Sequence, residues 1–66
     1  MKAPETRPVV KLVGEDGNAF AIMGRVSKAL KRAGADKGYI DKYIAESMSG
    51  NYDHLLNVAM EYVDVE

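Results

Sequence analysis

The chain has 66 residues, of which 47% are hydrophobic and 29% charged, with a formal net charge of −1 and no cysteine. This length allows one domain with a thin core, since a chain of about 60 residues buries only about 60% of its unfolded surface. The composition excludes overall disorder, and the absence of cysteine excludes disulfides, thiolate metal sites and a cysteine nucleophile.

Residues 1–7 predict a flexible N-terminal lead-in, and residues 8–66 predict a single domain. The lead-in has no apolar stretch of the kind that forms a secretory signal. Nor does any apolar run approach the roughly 18 residues that a membrane span needs. We therefore expect a cytoplasmic protein with no membrane partner.

A strand is predicted over Val9–Val13, followed by a turn and a helix. Val10 and Leu12 would face one side of this strand, with Lys11 on the other. At Asn18 the apolar spacing changes from two residues to about 3.6, and an asparagine side chain is suited to cap a helix. The switch indicates a strand–turn–helix entry and a mixed fold.

Three helices follow, each with a capping residue and an apolar stripe. The predicted N-caps are Asn18, Asp36 and Asn51, and Gly34 and Gly50 are expected to stop the first two helices. In the first helix the inward residues are predicted to be Ala19, Phe20, Met23, Val26, Leu30 and Ala33. In the second helix the predicted inward residues are Ile40, Tyr43, Ile44 and Met48. In the third helix they are Tyr52, Leu55, Leu56, Ala59, Met60 and Val63.

The last residues, Val63–Glu66, alternate between apolar and acidic side chains. Alternation predicts a short strand, with a frayed helix end as the other interpretation. The predicted fold is therefore α+β in the order β-α-α-α-β, with three helices packed on a small two-stranded sheet made by the chain termini. Both strands would be sheet edges, and an open edge can pair with another chain.

The chain contains the segments KLVGEDGNAFAIMG at residues 11–24, SGNYDHLL at residues 49–56 and YVDVE at residues 62–66. Together these segments resemble a group of short bacterial and phage-associated proteins of unknown function. The resemblance covers residues 8–66. It implies a bacterial or prophage setting and a small protein that stands alone, and it carries no activity, ligand or catalytic residue.

The turn before the first helix is a candidate loop for an anion or a cation, formed by Gly14, Glu15, Asp16, Gly17 and Asn18. Glycine amides and a helix N-terminus can bind an anion, but Glu15 and Asp16 bring two negative charges to that place. Three oxygen-bearing side chains could bind a divalent cation, yet the rest of a calcium loop is absent. The alternative is a tight turn in which Asn18 only caps the helix.

The basic residues of the first helix are predicted opposite its apolar stripe: Arg25, Lys28, Lys31 and Arg32. They form a candidate nucleic-acid contact, and residues 25–46 have a spacing similar to a helix-turn-helix. Residues 1–37 carry eight basic and four acidic side chains, whereas residues 38–66 carry one basic and six acidic ones. The pI of about 5.8 is low for a nucleic-acid-binding domain. The alternative is a solvated face, or one neutralised by the acidic half.

The sequence shows no arrangement that indicates catalysis. His54 is the only histidine and falls beside the apolar stripe of the third helix, where we expect it to be exposed. The serines lack a Ser-His-Asp pattern, and a chain of this size has little room for a substrate cleft. We therefore predict that the protein is not an enzyme and has neither a cofactor nor a metal.

The predicted function is a non-catalytic protein–protein interaction module, with self-association through strand edges as the first partner to test. Open strand edges and surface tyrosines are common in contacts between chains. The candidate interface residues are Val10, Leu12, Tyr39, Tyr62 and Val65. Nucleic-acid binding through the basic face of the first helix is the alternative function.

Overall fold

The computed structural model describes residues 1–12, Gly14 and residues 17–66. Its elements are β1 (Val9–Val10), α1 (Ala19–Arg32), α2 (Lys37–Ser47), α3 (Tyr52–Tyr62) and β2 (Asp64–Val65). This order confirms the predicted α+β fold, with the three helices between two strands at the chain termini. The longest helix, α1, has 14 residues. No helix in the described part of the chain is thus long enough to cross a bilayer, which takes about 20 residues.

The two strands run parallel, a direction that the sequence leaves open. Val9 pairs with Asp64, and Val10 pairs with Val65. Parallel strands need a long crossover connection rather than a hairpin, and the three helices supply it. The sheet therefore depends on helix packing, because two strands on their own are marginal in water.

β1 is shorter than the strand predicted over Val9–Val13. Its regular pairing ends at Val10. The ladder nevertheless continues by one step, since the N–H of Leu12 donates to the carbonyl of Glu66 at 2.8 Å. Val13 lies outside the described residues.

All three helices begin at their predicted caps. A side-chain oxygen of each cap accepts a hydrogen bond of 2.8–2.9 Å from a main-chain N–H of the first turn: Asn18, Asp36 and Asn51. Gly34 follows α1 with a φ of 99°, the left-handed conformation that the sequence predicts for it. Local spacing therefore sets both where the helices start and where the first one stops.

The core lies between the helices and the inner face of the sheet. Its largest fully buried side chains are Tyr43, Leu30, Val26, Val63 and Ser47. Tyr62 packs edge-on against Tyr43, with ring centroids 5.1 Å apart, and against Tyr39, at 5.5 Å. These three rings, the tyrosine cluster, join α2 to α3.

Four residues predicted to face the core lie at the surface instead. Their exposed fractions are 75% for Phe20, 62% for Met48, 45% for Tyr52 and 50% for Met60. Met60 is about 140° around α3 from Leu55 at 3.6 residues per turn, which is too far round to reach the core. The buried line of α3 includes a residue that the predicted stripe omits, Val58.

Residues 1–7 hydrogen-bond to the helical part of the molecule. The N–H of Glu5 donates to the carbonyl of Ala33 at 2.8 Å, and the N–H of Asp36 donates to the carbonyl of Lys2 at 3.0 Å. The guanidinium of Arg7 donates to main-chain carbonyls at the end of α3. The flexibility of this segment stays a prediction, as does the domain boundary at residue 8.

Candidate binding groove beside β1

A groove of about 310 Å³ lies on the surface between β1 and α1. We call it the β1–α1 groove. Val9, Val10 and Ala29 form its apolar part, and the other lining residues are cations: Lys11, Arg25, Lys28 and Arg32. None of these described lining residues is acidic. The basic half of the sequence thus contributes four positive side chains to one concave surface.

The structure brings together three of the four basic residues predicted to contact nucleic acid. Arg25, Lys28 and Arg32 line the β1–α1 groove at spacings of three and four, which places them along one side of the helix. Lys31 lies elsewhere, in a depression that includes Asp36 and the start of α2. Its side chain is therefore separate from the row that faces β1.

Lys11 completes the cationic lining, and sequence reasoning did not connect it with α1. The alternation of β1 correctly placed it opposite Val10 and Leu12, on the exposed side of the strand. Nothing in the sequence fixes the angle at which α1 crosses β1, so the proximity of Lys11 to the basic row appears only in the folded chain.

The main chain of β1 has one edge paired and one edge open. The carbonyls of Pro8 and Val10 and the N–H of Leu12 all take part in hydrogen bonds with β2 and Glu66. Because successive residues of a strand direct their main-chain groups to opposite edges, those of Val9 and Lys11 point away from β2. Both residues line the β1–α1 groove. The open edge of β1 therefore lies at residues that also border the cationic groove.

Lys28 and Arg32, at the middle and end of the basic row formed by Arg25, Lys28 and Arg32, have no counter-ion among the described residues. Among the described residues, no carboxylate lies within ion-pair distance of Lys28 or Arg32. Elsewhere the chain does form such pairs, as between Arg7 and Asp64 at 2.7 Å. One alternative to ligand binding was that the acidic residues 38–66 neutralise the basic face. Among the described residues, this neutralisation does not occur at Lys28 or Arg32.

The predicted interface residues do not share one surface. Val10 is only 6% exposed and belongs to the core, so its side chain is not offered to a partner. Tyr39 and Tyr62 are half-buried in the tyrosine cluster. The remaining two border a separate apolar groove, which is lined by Leu12, Leu56, Met60 and Val65.

The candidate ion loop is described only in part. Glu15 and Asp16 lie outside the described residues. Gly14 has a φ of 80°, and the carbonyl of Gly17 accepts a hydrogen bond from the hydroxyl of Tyr52. The side-chain oxygen of Asn18 accepts from the first turn of α1, as a helix cap does. The described part of the loop therefore acts as a turn and a cap.

His54 is half-buried rather than exposed, contrary to the prediction. Its Nε2 lies 2.9 Å from the carbonyl oxygen of Glu46 and 3.0 Å from Oγ of Ser49. Oγ of Ser49 also donates to that carbonyl, at 2.7 Å. His54 and Ser49 therefore both contact a carbonyl at the end of α2.

The described residues contain no group of three His, Cys, Asp or Glu side chains that could hold a metal ion. No protein-family model, no curated protein and no solved structure matches the chain. The β1–α1 groove is thus the feature from which a function can be argued, on its own geometry and charge.

Proposed function

We propose that the protein is a non-catalytic interaction module that adds an extended segment of a partner protein to the open edge of β1. One observation carries the proposal, namely that the main-chain groups of Val9 and Lys11 lie on the edge of β1 away from β2 and that both residues line the β1–α1 groove. In strand addition, main-chain hydrogen bonds supply affinity and side-chain contacts supply specificity. The groove offers both.

The charge of the groove disfavours one form of self-association. If two copies paired through their β1 edges, Lys11 and the row on α1 would approach their own counterparts. Like charges directly opposite each other destabilise a strand pair. A partner of different charge therefore fits the groove better than a second β1 edge, and self-association through β2 stays a prediction.

A single substitution can remove one outward donor without touching the internal ladder. Val9→Pro deletes an N–H on the edge of β1 away from β2, whereas Leu12→Pro would delete the N–H that donates to Glu66. Peptides would be selected from a random phage-displayed library on the wild-type protein, and their affinities would then be measured for wild type and Val9→Pro. Circular dichroism would establish that the variant is folded.

We expect the selected peptides to lose about tenfold or more in affinity on Val9→Pro, since one main-chain hydrogen bond is lost and the strand is displaced. Lys31→Gln, on another side of α1, should leave their affinity unchanged. Selection of no peptide, or of peptides that bind folded Val9→Pro as tightly as wild type, would contradict the proposal.

Nucleic-acid binding is the second candidate, and the collection of Arg25, Lys28 and Arg32 in one groove favours it. Phosphate contacts make affinity fall steeply with salt, by a slope of about 0.9 per contact in logarithmic units. Lys28→Gln with Arg32→Gln should then reduce the slope for duplex DNA by about two. It ranks second because no aromatic ring lines the described groove to stack a base.

The bacterial or prophage setting and the cytoplasmic location stay predictions from the sequence. Strand addition depends only on the direction of the main chain and on the charge of the groove. The proposal can thus be tested on the purified chain.

A further inference from the structure

We infer that the segment bound by the β1–α1 groove is acidic and carries its carboxylates at alternate positions, an inference that rests on the proposed strand addition. Lys28 and Arg32 face no carboxylate among the described residues, and the described groove lining has no acid. A partner strand along β1 would lie beside this row of cations. Charge complementarity therefore selects a negative occupant.

The spacing of the cations matches that of an extended chain. Lys28 and Arg32 are four residues apart on α1, about 6 Å along the helix axis at 1.5 Å per residue. In a strand, side chains on one face recur at about 6.6–6.8 Å, twice the rise per residue. On a partner strand that runs along the α1 axis, two acidic residues separated by one other residue would each reach one cation, whereas adjacent acids would point to opposite faces.

The positions between the acids would lie on the outer face of the enlarged sheet, next to Val9 and Lys11. Val9 is 57% exposed there, so a β-branched neighbour would cover apolar surface that is now in water. The sequence class that fits best alternates valine, isoleucine or threonine with aspartate or glutamate.

A peptide fits this edge better than a nucleic acid because the open edge presents donors and acceptors together. The N–H groups of Val9 and Lys11 can bond either kind of backbone. Their carbonyls need donors, which another peptide main chain has and a phosphate group lacks. The mixed edge thus matches a peptide main chain better than a phosphate backbone, while the cations alone match both.

Fluorescence anisotropy with short synthetic peptides tests the inference. The first peptide alternates valine and glutamate, the second has the same composition with its glutamates adjacent, and the third has lysine in place of glutamate. A single-stranded oligothymidylate serves as the nucleic-acid probe. Affinities would be measured at about 0.15 M salt, where the Debye length is about 8 Å and distant charges are screened.

Two double variants distinguish the effect of cations in the groove from the effect of the net charge of the protein. Lys28→Gln with Arg32→Gln removes two cations from the β1–α1 groove, and Lys31→Gln with Lys37→Gln removes two from the other depression. We expect the alternating peptide to bind about tenfold tighter than the other two peptides, as two exposed charge pairs allow. The first double variant should lose that advantage, and the second should stay within about twofold.

Three outcomes would overturn the inference in distinguishable ways. Equal affinity for the glutamate and lysine peptides, with binding still lost in Val9→Pro, would remove the acidic preference and leave strand addition standing. Binding of the alternating peptide that Val9→Pro does not weaken would remove strand addition itself. Tighter binding of oligothymidylate than of any peptide would replace both with the nucleic-acid function.

Discussion

The two sides of the molecule differ in how they use their polar groups. On the side formed by α2 and α3, side chains satisfy the main chain internally: Oγ of Ser47 donates to the carbonyl of Tyr43 at 2.9 Å, and His54 and Ser49 share the carbonyl of Glu46. On the side formed by β1 and α1, four cationic residues line an open groove, and the main-chain groups of Val9 and Lys11 are unpaired with β2. We propose that the second side binds a partner.

This difference suggests how so small a chain can combine stability with a binding surface. Stability of a chain near 66 residues is expected to be modest, because little surface is buried. Main-chain N–H and C=O groups that have no partner within the protein must remain in contact with water, because burying them unpaired costs free energy. The exposed β1 edge meets that condition, since Val9 is 57% exposed.

Substitutions on the two sides should therefore have opposite consequences. Tyr43→Ala empties a fully buried site between α2 and α3 and should lower the free energy of unfolding by about 3–5 kcal/mol, as aromatic deletions in cores do. Lys28→Gln with Arg32→Gln should change it by no more than about 0.5 kcal/mol. Urea denaturation followed by circular dichroism measures both. A comparable loss of stability in the lysine–arginine variant would mean that the basic row is structural.

Two glycines allow a second comparison. A Cβ added at Gly50 would lie 2.7 Å from Cγ of His54, so Gly50→Ala should displace the ring from Glu46 and cost about 1–3 kcal/mol. At Gly24, in α1, an added Cβ meets nothing within 4 Å. Gly24→Ala should stabilise the protein by about 0.5–1 kcal/mol through helix propensity.

Thermal unfolding measures the stability of both alanine variants. Gly50→Ala reports on the turn between α2 and α3, and Gly24→Ala is the comparison in α1. If Gly50→Ala proves as stable as wild type, the contact of His54 with the end of α2 does not contribute to the fold. The contrast between the two sides would then rest on the tyrosine cluster alone.

The smallest expected effect is a dependence of stability on alkaline pH. Burial raises the pKa of Tyr62 to about 12, assisted by the nearby Glu46 carboxylate, and burial also raises the pKa of Tyr43. The folded-state pKa values lie above that of an unfolded tyrosine, near 10. The contribution of these tyrosines to the free energy of unfolding should thus be fully present below pH 10 and should be lost as pH rises from about 10 to 12.

Melting temperatures across that pH range, for wild type and Tyr62→Phe, check this dependence. Tyr62→Phe should flatten the decline, because the variant loses one of the two groups that must ionise on unfolding. A decline identical to that of wild type would mean that the ionisation of Tyr62 does not contribute to the pH dependence.

The sequence predicted the parts of the fold that depend on neighbours along the chain. Asn18, Asp36 and Asn51 cap their helices because a side-chain oxygen reaches an amide two or three residues ahead, whatever the tertiary structure. The alternation of residues 63–66 likewise indicated β2. The order of elements and the fold class followed from these local signals.

The parts that depend on how helices cross could not be predicted in the same way. Periodicity indicates that a helix has an apolar stripe but does not fix where the stripe ends, so Phe20 and Tyr52 were assigned to the core although both are exposed. The parallel direction of the strands, the separation of Lys31 from the basic row and the approach of Lys11 to that row all result from packing.

Hydrogen exchange of individual main-chain amides, measured by NMR with and without the alternating valine–glutamate peptide, would show whether a strand is added to the open edge of β1. Leu12 is an internal reference, because its N–H already donates to Glu66 and should be protected in both states. Strand addition predicts that the amides of Val9 and Lys11 exchange fast in the free protein and become protected in the complex. Saturating peptide that leaves both amides exchanging as fast as before would contradict the proposal that the open edge of β1 is the binding site.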